Sequence, residues 1–183
     1  IKPSGVPYST LRPEDIVVVP LHGDRRSASS SLRPSSDTPT HLELYRAFPS
    51  LRGIVHTPST YAVGWAQAIS PIPILGTTHA DQTIHNIPCT PPLEKEYIEG
   101  DYEVETGRQI IRHLDNLGLG HEEIEMILVG CHGPFTWGAS VKKALENAIA
   151  LEEIAKMALI TRAVNTAVED LPKTLKQKHY SSK

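Results

Sequence analysis

A short apolar run that ends in a histidine constrains this chain more than any other stretch. Residues 53–55 (Gly-Ile-Val) have the character of a buried strand, His56 follows on the same strand, and Ser59 then opens a helical segment. A histidine at the end of a buried strand can aim its ring at a metal ion in a cleft. Strand side chains alternate, so a second ligand at i+2 would share the face of His56, but that position is Pro58. The stretch therefore predicts either a metal site to which His56 contributes one ligand, or a former metal site that has lost a ligand.

A second buried strand leads to another histidine. Residues 126–129 (Met-Ile-Leu-Val) are apolar throughout, and His132 follows in a glycine-rich turn. Residues 140–165 give the best helix signal, because their apolar side chains repeat at helical spacing. The other local predictions are a strand at 16–19, a polar serine-rich loop at 22–36, a helix beginning within 35–40, helices at 59–69 and 103–117, an irregular polar segment at 76–81 and a frayed basic tail at 173–183.

Length and charge exclude several classes of protein. The chain has 183 residues, which is enough for a single domain with a substantial core. Its net charge of −3 gives no attraction to nucleic acid or to an anionic membrane, and no apolar run approaches the roughly 20 residues of a membrane span. Two cysteines do not make a disulfide framework and fit a reducing compartment. We therefore expect a cytoplasmic globular protein with no nucleic-acid or membrane partner.

Two polar segments are candidates for an anion site. Residues 2–6 (Lys-Pro-Ser-Gly-Val) form a tight turn whose backbone N–H groups can hold an anion, although a plain turn explains them equally well. Ser35 and Ser36 precede a helix start, which suits a phosphate because the first N–H groups of a helix are free. Ser36 or Asp37 can cap that helix, with Pro39 in its first turn.

Several segments, in this order, resemble the class II aldolase/epimerase family, and within it the L-ribulose-5-phosphate 4-epimerases. The segments are residues 2–6, 34–41, 53–57, 76–81, 87–90, 105–107 and 132–138. Gly-Thr-Thr-His-Ala-Asp at 76–81 and Ile-Pro-Cys-Thr at 87–90 are similar to the epimerase branch more than to the fuculose-phosphate aldolases.

The resemblance implies an α/β fold of three layers, α/β/α, with a central, mostly antiparallel sheet flanked by helices. It implies a homotetramer with active sites between subunits, and a zinc ion that polarises the carbonyl and hydroxyl oxygens of a phosphorylated ketopentose. The C3–C4 bond then breaks in a retro-aldol step, and re-addition to the other face of the aldehyde inverts C4. We expect one domain over residues 1–183, without the N-terminal segment and C-terminal tail of the family.

The resemblance also assigns roles to individual residues. Phosphate-binding positions are matched by Ser4, Gly5, Ser35 and Ser36, metal-ligand positions by Asp37, His56 and His132, and the proton-transferring acid by Asp81. In the family this acid reaches the site from a neighbouring subunit. Hydrogen bonding in a glycine-rich turn is the alternative for His132, and hydrogen bonding is also expected of His79.

The chain departs from the family pattern at several positions. Pro58 replaces the second histidine of a His-x-His pair, and Pro91 replaces the arginine that usually follows Ile-Pro-Cys-Thr. The C-terminal tyrosine that works opposite Asp81 has no match, because Tyr180 matches a different position. Three hypotheses result: a zinc-dependent L-ribulose-5-phosphate 4-epimerase of arabinose catabolism, an aldolase or epimerase for another sugar phosphate, or a catalytically silent member with a structural role.

Overall fold

A computed structural model describes residues 1–22 and 31–182. Within these residues one strand follows the first α-helix, four helices separate it from a pair of strands, and two helices end the chain. The elements are a 3-10 turn at Pro13–Asp15, α1 Thr38–Ala47, β1 Gly53–His56, α2 Thr60–Gln67, α3 Thr77–Ala80, α4 Lys95–Glu99, α5 Tyr102–Leu117, β2 Met126–Val129, β3 Gly133–Gly138, α6 Val141–Val164 and α7 Lys173–Tyr180. No helix among the described residues is both long and apolar enough to cross a membrane.

The three strands form one antiparallel sheet, which belongs to a compact unit made of Ser50–Glu94 and Gln109–Lys183. Its order is β1-β3-β2, with His56 opposite Phe135 and Val129 opposite Gly133. Every residue of β2 and β3 is buried, because these strands carry the core of the unit. Helix α6 packs on β1 and β3, and α2 packs on β3 and α6. This confirms the predicted α/β fold, with an antiparallel sheet flanked by helices.

The long helix α6 begins and ends where its sequence predicts. The Ser140 side chain caps its first turn by accepting from the Lys143 backbone N–H at 3.0 Å. The buried face of α6 carries mainly small and aliphatic residues, namely Ala144, Leu151, Ile154, Ala155 and Ala158. Asn147 is the polar exception, and its amide donates to the Trp137 carbonyl at 2.8 Å, so the buried side chain is satisfied.

A second compact unit consists of Ile1–Pro49 and Lys95–Arg108. Within the first of these segments an isolated β-bridge joins Pro3 to Pro34. The Thr40 hydroxyl donates to the Glu103 carbonyl at 2.6 Å, which ties α1 to the start of α5. Helix α1 has Asp37 at its N-cap and Pro39 in its first turn, where the missing proline N–H costs nothing.

Three local predictions were wrong. Residues 16–19 form no strand and Val18 is exposed, although Val17 exchanges two backbone hydrogen bonds with Ile1, because this pairing does not extend to the neighbouring residues. Residues 76–81 contain helix α3 instead of an irregular segment, and the tail contains helix α7. Of the predicted serine-rich loop, residues 23–30 lie outside the part of the chain that the structure describes.

The close approach of β1 to α6 makes Gly53 sensitive to substitution. A Cβ at Gly53 would lie 2.6 Å from the Val141 Cα and 2.7 Å from the Ser140 carbonyl oxygen. We expect Gly53→Ala to lower the free energy of unfolding by about 2–3 kcal/mol, since backbone must move. Gly64→Ala is the matched control, because a Cβ there meets nothing within 4 Å. We expect this substitution to raise the free energy of unfolding by about 0.5–1 kcal/mol. Urea unfolding measures both, and equal effects would contradict the steric explanation.

Candidate active site

The sheet brings two of the predicted metal ligands together. His56 ends β1, and His132 lies in the turn between β2 and β3. Because β1 pairs with β3, the end of β1 lies beside this turn, and the two ring centroids are 4.7 Å apart. A ring nitrogen of His56 and one of His132 lie within 4.8 Å of each other. Both nitrogens are therefore close enough to share one small cation.

The hydrogen bond of His56 selects the nitrogen that faces a metal. Its Nδ1 lies 2.8 Å from the Pro134 carbonyl oxygen, which can only accept, so Nδ1 carries the hydrogen. The Nε2 lone pair then remains for a ligand. A carbonyl on the second ring nitrogen is the usual support of a metal-bound histidine. The ring is also held by stacking on Phe135 at a centroid distance of 4.2 Å. His56 thus fits a metal ligand in donor type and orientation.

The position two residues beyond His56 adds no ligand. Pro58 is exposed and lies between β1 and α2, outside any strand. Its side chain has no donor atom for a metal. Among the residues that the structure describes, His56 and His132 are therefore the imidazoles that meet at this end of the sheet.

The predicted phosphate residues lie on two neighbouring loops of the other compact unit. The Ser4 backbone N–H donates to the Arg33 carbonyl at 2.8 Å, and the Ser35 N–H donates to the Lys2 carbonyl at 3.1 Å. These bonds flank the Pro3–Pro34 bridge, so Ser4 and Ser35 belong to adjacent loops. Gly5 has a φ of +76°, a backbone conformation that favours glycine. Ser36 follows Ser35 on the second loop.

Asp37 occupies the predicted capping position of α1, but its side chain does not cap the helix. Asp37 is the N-cap residue of α1, but its side chain makes no capping hydrogen bond. Its carboxylate instead lies 3.4 Å from the Ser35 hydroxyl, which is a long contact. The helix start therefore does not use this carboxylate, which leaves it available for another partner.

Asp81 meets a residue that sequence reasoning missed. It ends α3, and its Oδ1 lies 2.9 Å from Nδ1 of His179 on α7. The tail was predicted to fray, so no contact was expected from it. The one available signal was that Tyr180, beside His179, matches a position of the family that the sequence resembles.

His79 is a buried, neutral histidine, as its predicted hydrogen-bonding role requires. It is 4% exposed, and its Nε2 lies 3.2 Å from the His85 carbonyl oxygen. Burial disfavours the imidazolium and lowers the pKa of His79 to about 4.

The stability of the protein should consequently fall in mild acid. Between pH 6.5 and about 4 the unfolded chain binds a proton that folded His79 does not. The contribution of neutral His79 to the free energy of unfolding is thus fully present above pH 6.5. It decreases by about 3 kcal/mol as the pH falls through this window. Urea unfolding at pH 7 and pH 4.5 measures the loss. His79→Gln should reduce it, and an unchanged pH dependence in that variant would contradict the assignment.

Comparison with known proteins finds one matching family model and several similar solved structures. The family model described as "Class II Aldolase and Adducin N-terminal domain" matches residues 1–159. The structure is similar to an L-fuculose 1-phosphate aldolase, with a TM-score of 0.76 and 19% identity over 99% of this chain and 77% of that one. It is also similar to YgbL from Escherichia coli, a candidate aldolase/epimerase/decarboxylase, with a TM-score of 0.70 and 23% identity over 98% and 80%. An L-fuculose-1-phosphate aldolase from Thermus thermophilus gives a TM-score of 0.67 and 23% identity over 91% and 78%. At these identities the structural likeness shows a common fold.

Proposed function

The chain belongs to the class II aldolase and adducin N-terminal domain family, and on this basis we propose that it is an L-ribulose-5-phosphate 4-epimerase. In this proposal a cytoplasmic homotetramer interconverts L-ribulose 5-phosphate and D-xylulose 5-phosphate during arabinose catabolism. The epimerase choice rests on the motifs at residues 76–81 and 87–90. The observation that carries the chemistry is the His56–His132 pair, with Nε2 of His56 turned away from its carbonyl partner.

His56 and His132 are proposed to hold a zinc ion, with Asp37 as the carboxylate ligand. Imidazole nitrogens and a carboxylate oxygen are ordinary zinc ligands, and the carboxylate of Asp37 does not cap its helix. A bound divalent cation supplies Lewis-acid polarisation of the carbonyl and hydroxyl oxygens of the substrate.

The two loops of the second compact unit, around residues 2–6 and 34–36, are proposed to hold the substrate phosphate. The hydroxyls of Ser4, Ser35 and Ser36 are hydrogen-bond donors, and Gly5 lets the backbone turn without a side chain. The start of α1 adds a partial positive charge to the same segment. These loops would hold the phosphate group of the substrate.

Asp81 is proposed to transfer the proton of the reaction, in the active site of a neighbouring subunit. Its carboxylate would move the proton of the C4 oxygen on the aldehyde fragment from one face of the site, accepting it as the C3–C4 bond breaks. The side chain is half exposed, so it is accessible for such an exchange.

The best alternative is an aldolase for another phosphorylated sugar, which the likeness to L-fuculose 1-phosphate aldolase favours. Both reactions break a C–C bond, but an aldolase releases two fragments while an epimerase returns a single pentose phosphate. A catalytically silent member is the third possibility, which Pro58 favours.

Product analysis tests the proposal. Purified protein is supplied with Zn²⁺ and incubated separately with L-ribulose 5-phosphate and L-fuculose 1-phosphate. Formation of D-xylulose 5-phosphate supports the epimerase. Fragments from L-fuculose 1-phosphate alone would support the aldolase, and no turnover of either substrate would favour the silent member.

A further inference from the structure

The Ile-Pro-Cys-Thr motif at residues 87–90 forms an additional edge of the sheet, beside the turn that carries His132. The Leu128 N–H of β2 donates to the Pro88 carbonyl at 2.8 Å, and the Thr90 N–H donates to the Leu128 carbonyl at 2.9 Å. The resulting bridge is parallel, and β3 pairs with the other edge of β2. The motif on which the epimerase choice rests is therefore hydrogen-bonded to the strand that leads to a proposed metal ligand.

The last residue of the motif binds the turn that follows β2. The hydroxyl oxygen of Thr90, a fully buried side chain, accepts from the Gly130 backbone N–H at 3.0 Å. The hydroxyl hydrogen has two acceptors within reach, the Pro91 carbonyl at 3.0 Å and Oε1 of Gln109 at 3.2 Å. The Gln109 amide is oriented in turn by donating from Nε2 to the Pro91 carbonyl at 2.8 Å. This network fixes the hydroxyl so that its oxygen faces Gly130.

His132 stands at the end of a three-residue turn, residues 130–132, whose backbone is held at every position. The Cys131 N–H donates to the Ala66 carbonyl at 3.0 Å, and the His132 N–H donates to the Val129 carbonyl at 3.0 Å. The first N–H of the turn is the one that the threonine hydroxyl binds. Cys131 has a φ of +63°, which a residue with a side chain rarely adopts. Such a conformation persists where the surroundings hold the chain, so these hydrogen bonds maintain the shape of the turn.

The motif and the turn also touch through their backbones. A Cβ at Gly130 would overlap the Thr90 carbonyl oxygen and would lie 3.1 Å from the carbonyl carbon of Pro91. No side chain separates the two segments at this point. A change in the position of Thr90 is therefore transmitted directly to the turn.

We propose that Thr90 is a positioning residue for the metal ligand His132. The inference rests on the metal site of the proposed function and gives the Ile-Pro-Cys-Thr motif a role in it. The hydroxyl fixes Gly130, two residues before His132, and with it the placement of the imidazole 4.7 Å from the ring of His56. Without the hydroxyl, the buried Gly130 N–H loses its acceptor, and the turn must move to satisfy it. Thr90 thus acts on the metal site through the backbone of the turn.

Isothermal titration of the metal-free full chain with Zn²⁺ tests this role. Thr90→Val keeps the shape of the side chain but removes the hydroxyl, and it should weaken zinc binding by about 10-fold or more, as loss of a group that supports a metal ligand does. Thr90→Ser keeps the hydroxyl and should bind zinc with an affinity close to that of the wild type.

Thr136→Val is the matched control. The Thr136 hydroxyl is also buried and also bonded to backbone, because it donates to the Ala144 carbonyl of α6 at 2.9 Å. Its side chain points to the face of the sheet opposite Phe135 and His56, since strand side chains alternate. This variant loses a comparable buried hydrogen bond and should bind zinc as the wild type does.

Hydrogen exchange of the Gly130 amide gives a second measurement that needs neither metal nor turnover. The amide should exchange faster in metal-free Thr90→Val than in Thr90→Ser or Thr136→Val, because only the first variant removes its acceptor. If Thr90→Val does not fold, Thr90→Ala takes its place in both measurements, since it removes the hydroxyl with a smaller side chain.

The outcomes separate the positioning role from the proposals on which it rests. Wild-type zinc affinity in a folded variant without the Thr90 hydroxyl overturns the positioning role, and so does an equal loss of affinity in Thr90→Ser or in Thr136→Val. A wild type that binds no Zn²⁺ overturns the metal site and the positioning role with it. A wild type that binds Zn²⁺ but converts no L-ribulose 5-phosphate overturns the proposed epimerase alone.

Discussion

Replacement of His56 by alanine is expected to remove bound Zn²⁺ and to lower turnover of L-ribulose 5-phosphate by about 10³-fold or more. This factor corresponds to the loss of several kcal/mol of charge stabilisation. The Pro134 carbonyl binds Nδ1 of His56 and leaves Nε2 for the metal, and the alanine variant removes this nitrogen. Metal analysis of the purified variant is the primary measurement, because it needs no turnover.

The matched control is His113→Ala on α5, a histidine that the proposed site does not use. It should bind as much Zn²⁺ as the wild type. Since His56 stacks on Phe135, circular dichroism must show that His56→Ala is folded, and His132→Ala supplies a second ligand variant. Undiminished zinc in both ligand variants would contradict the metal site.

Introduction of a histidine at Pro58 is expected to raise zinc affinity by at least about tenfold and activity with it, since a third imidazole would join the pair. Pro58 lies two residues beyond His56 and is exposed, so a larger side chain meets little resistance. Isothermal titration with Zn²⁺ measures the affinity.

Pro58→Ala is the control, because it removes the proline ring and adds no ligand. It should leave zinc affinity close to that of the wild type. An increase in Pro58→Ala equal to that in Pro58→His would mean that backbone freedom, and not a ligand, was responsible. No gain in zinc or in activity for Pro58→His would favour a catalytically silent protein.

The sequence was informative wherever a long or strongly apolar pattern specified an element. Helix α6 was predicted within one residue at each end, because many residues repeat at helical spacing and Ser140 caps the start. The β2 strand was equally clear, since four consecutive buried aliphatic side chains fit a core strand. Helices α3 and α7 were missed because they are short and polar, and such helices are stabilised by tertiary packing more than by propensity.

The sequence by itself determined the two histidine-bearing segments around the central strand, and the departure at Pro58, since strand character and residue type are local properties. Only the tertiary structure decided that His56 and His132 face each other, that Nδ1 of His56 is taken by a carbonyl, and that His179 contacts Asp81. These are distances between residues far apart in the chain. They depend on which elements pack together, and no local pattern of residues encodes that.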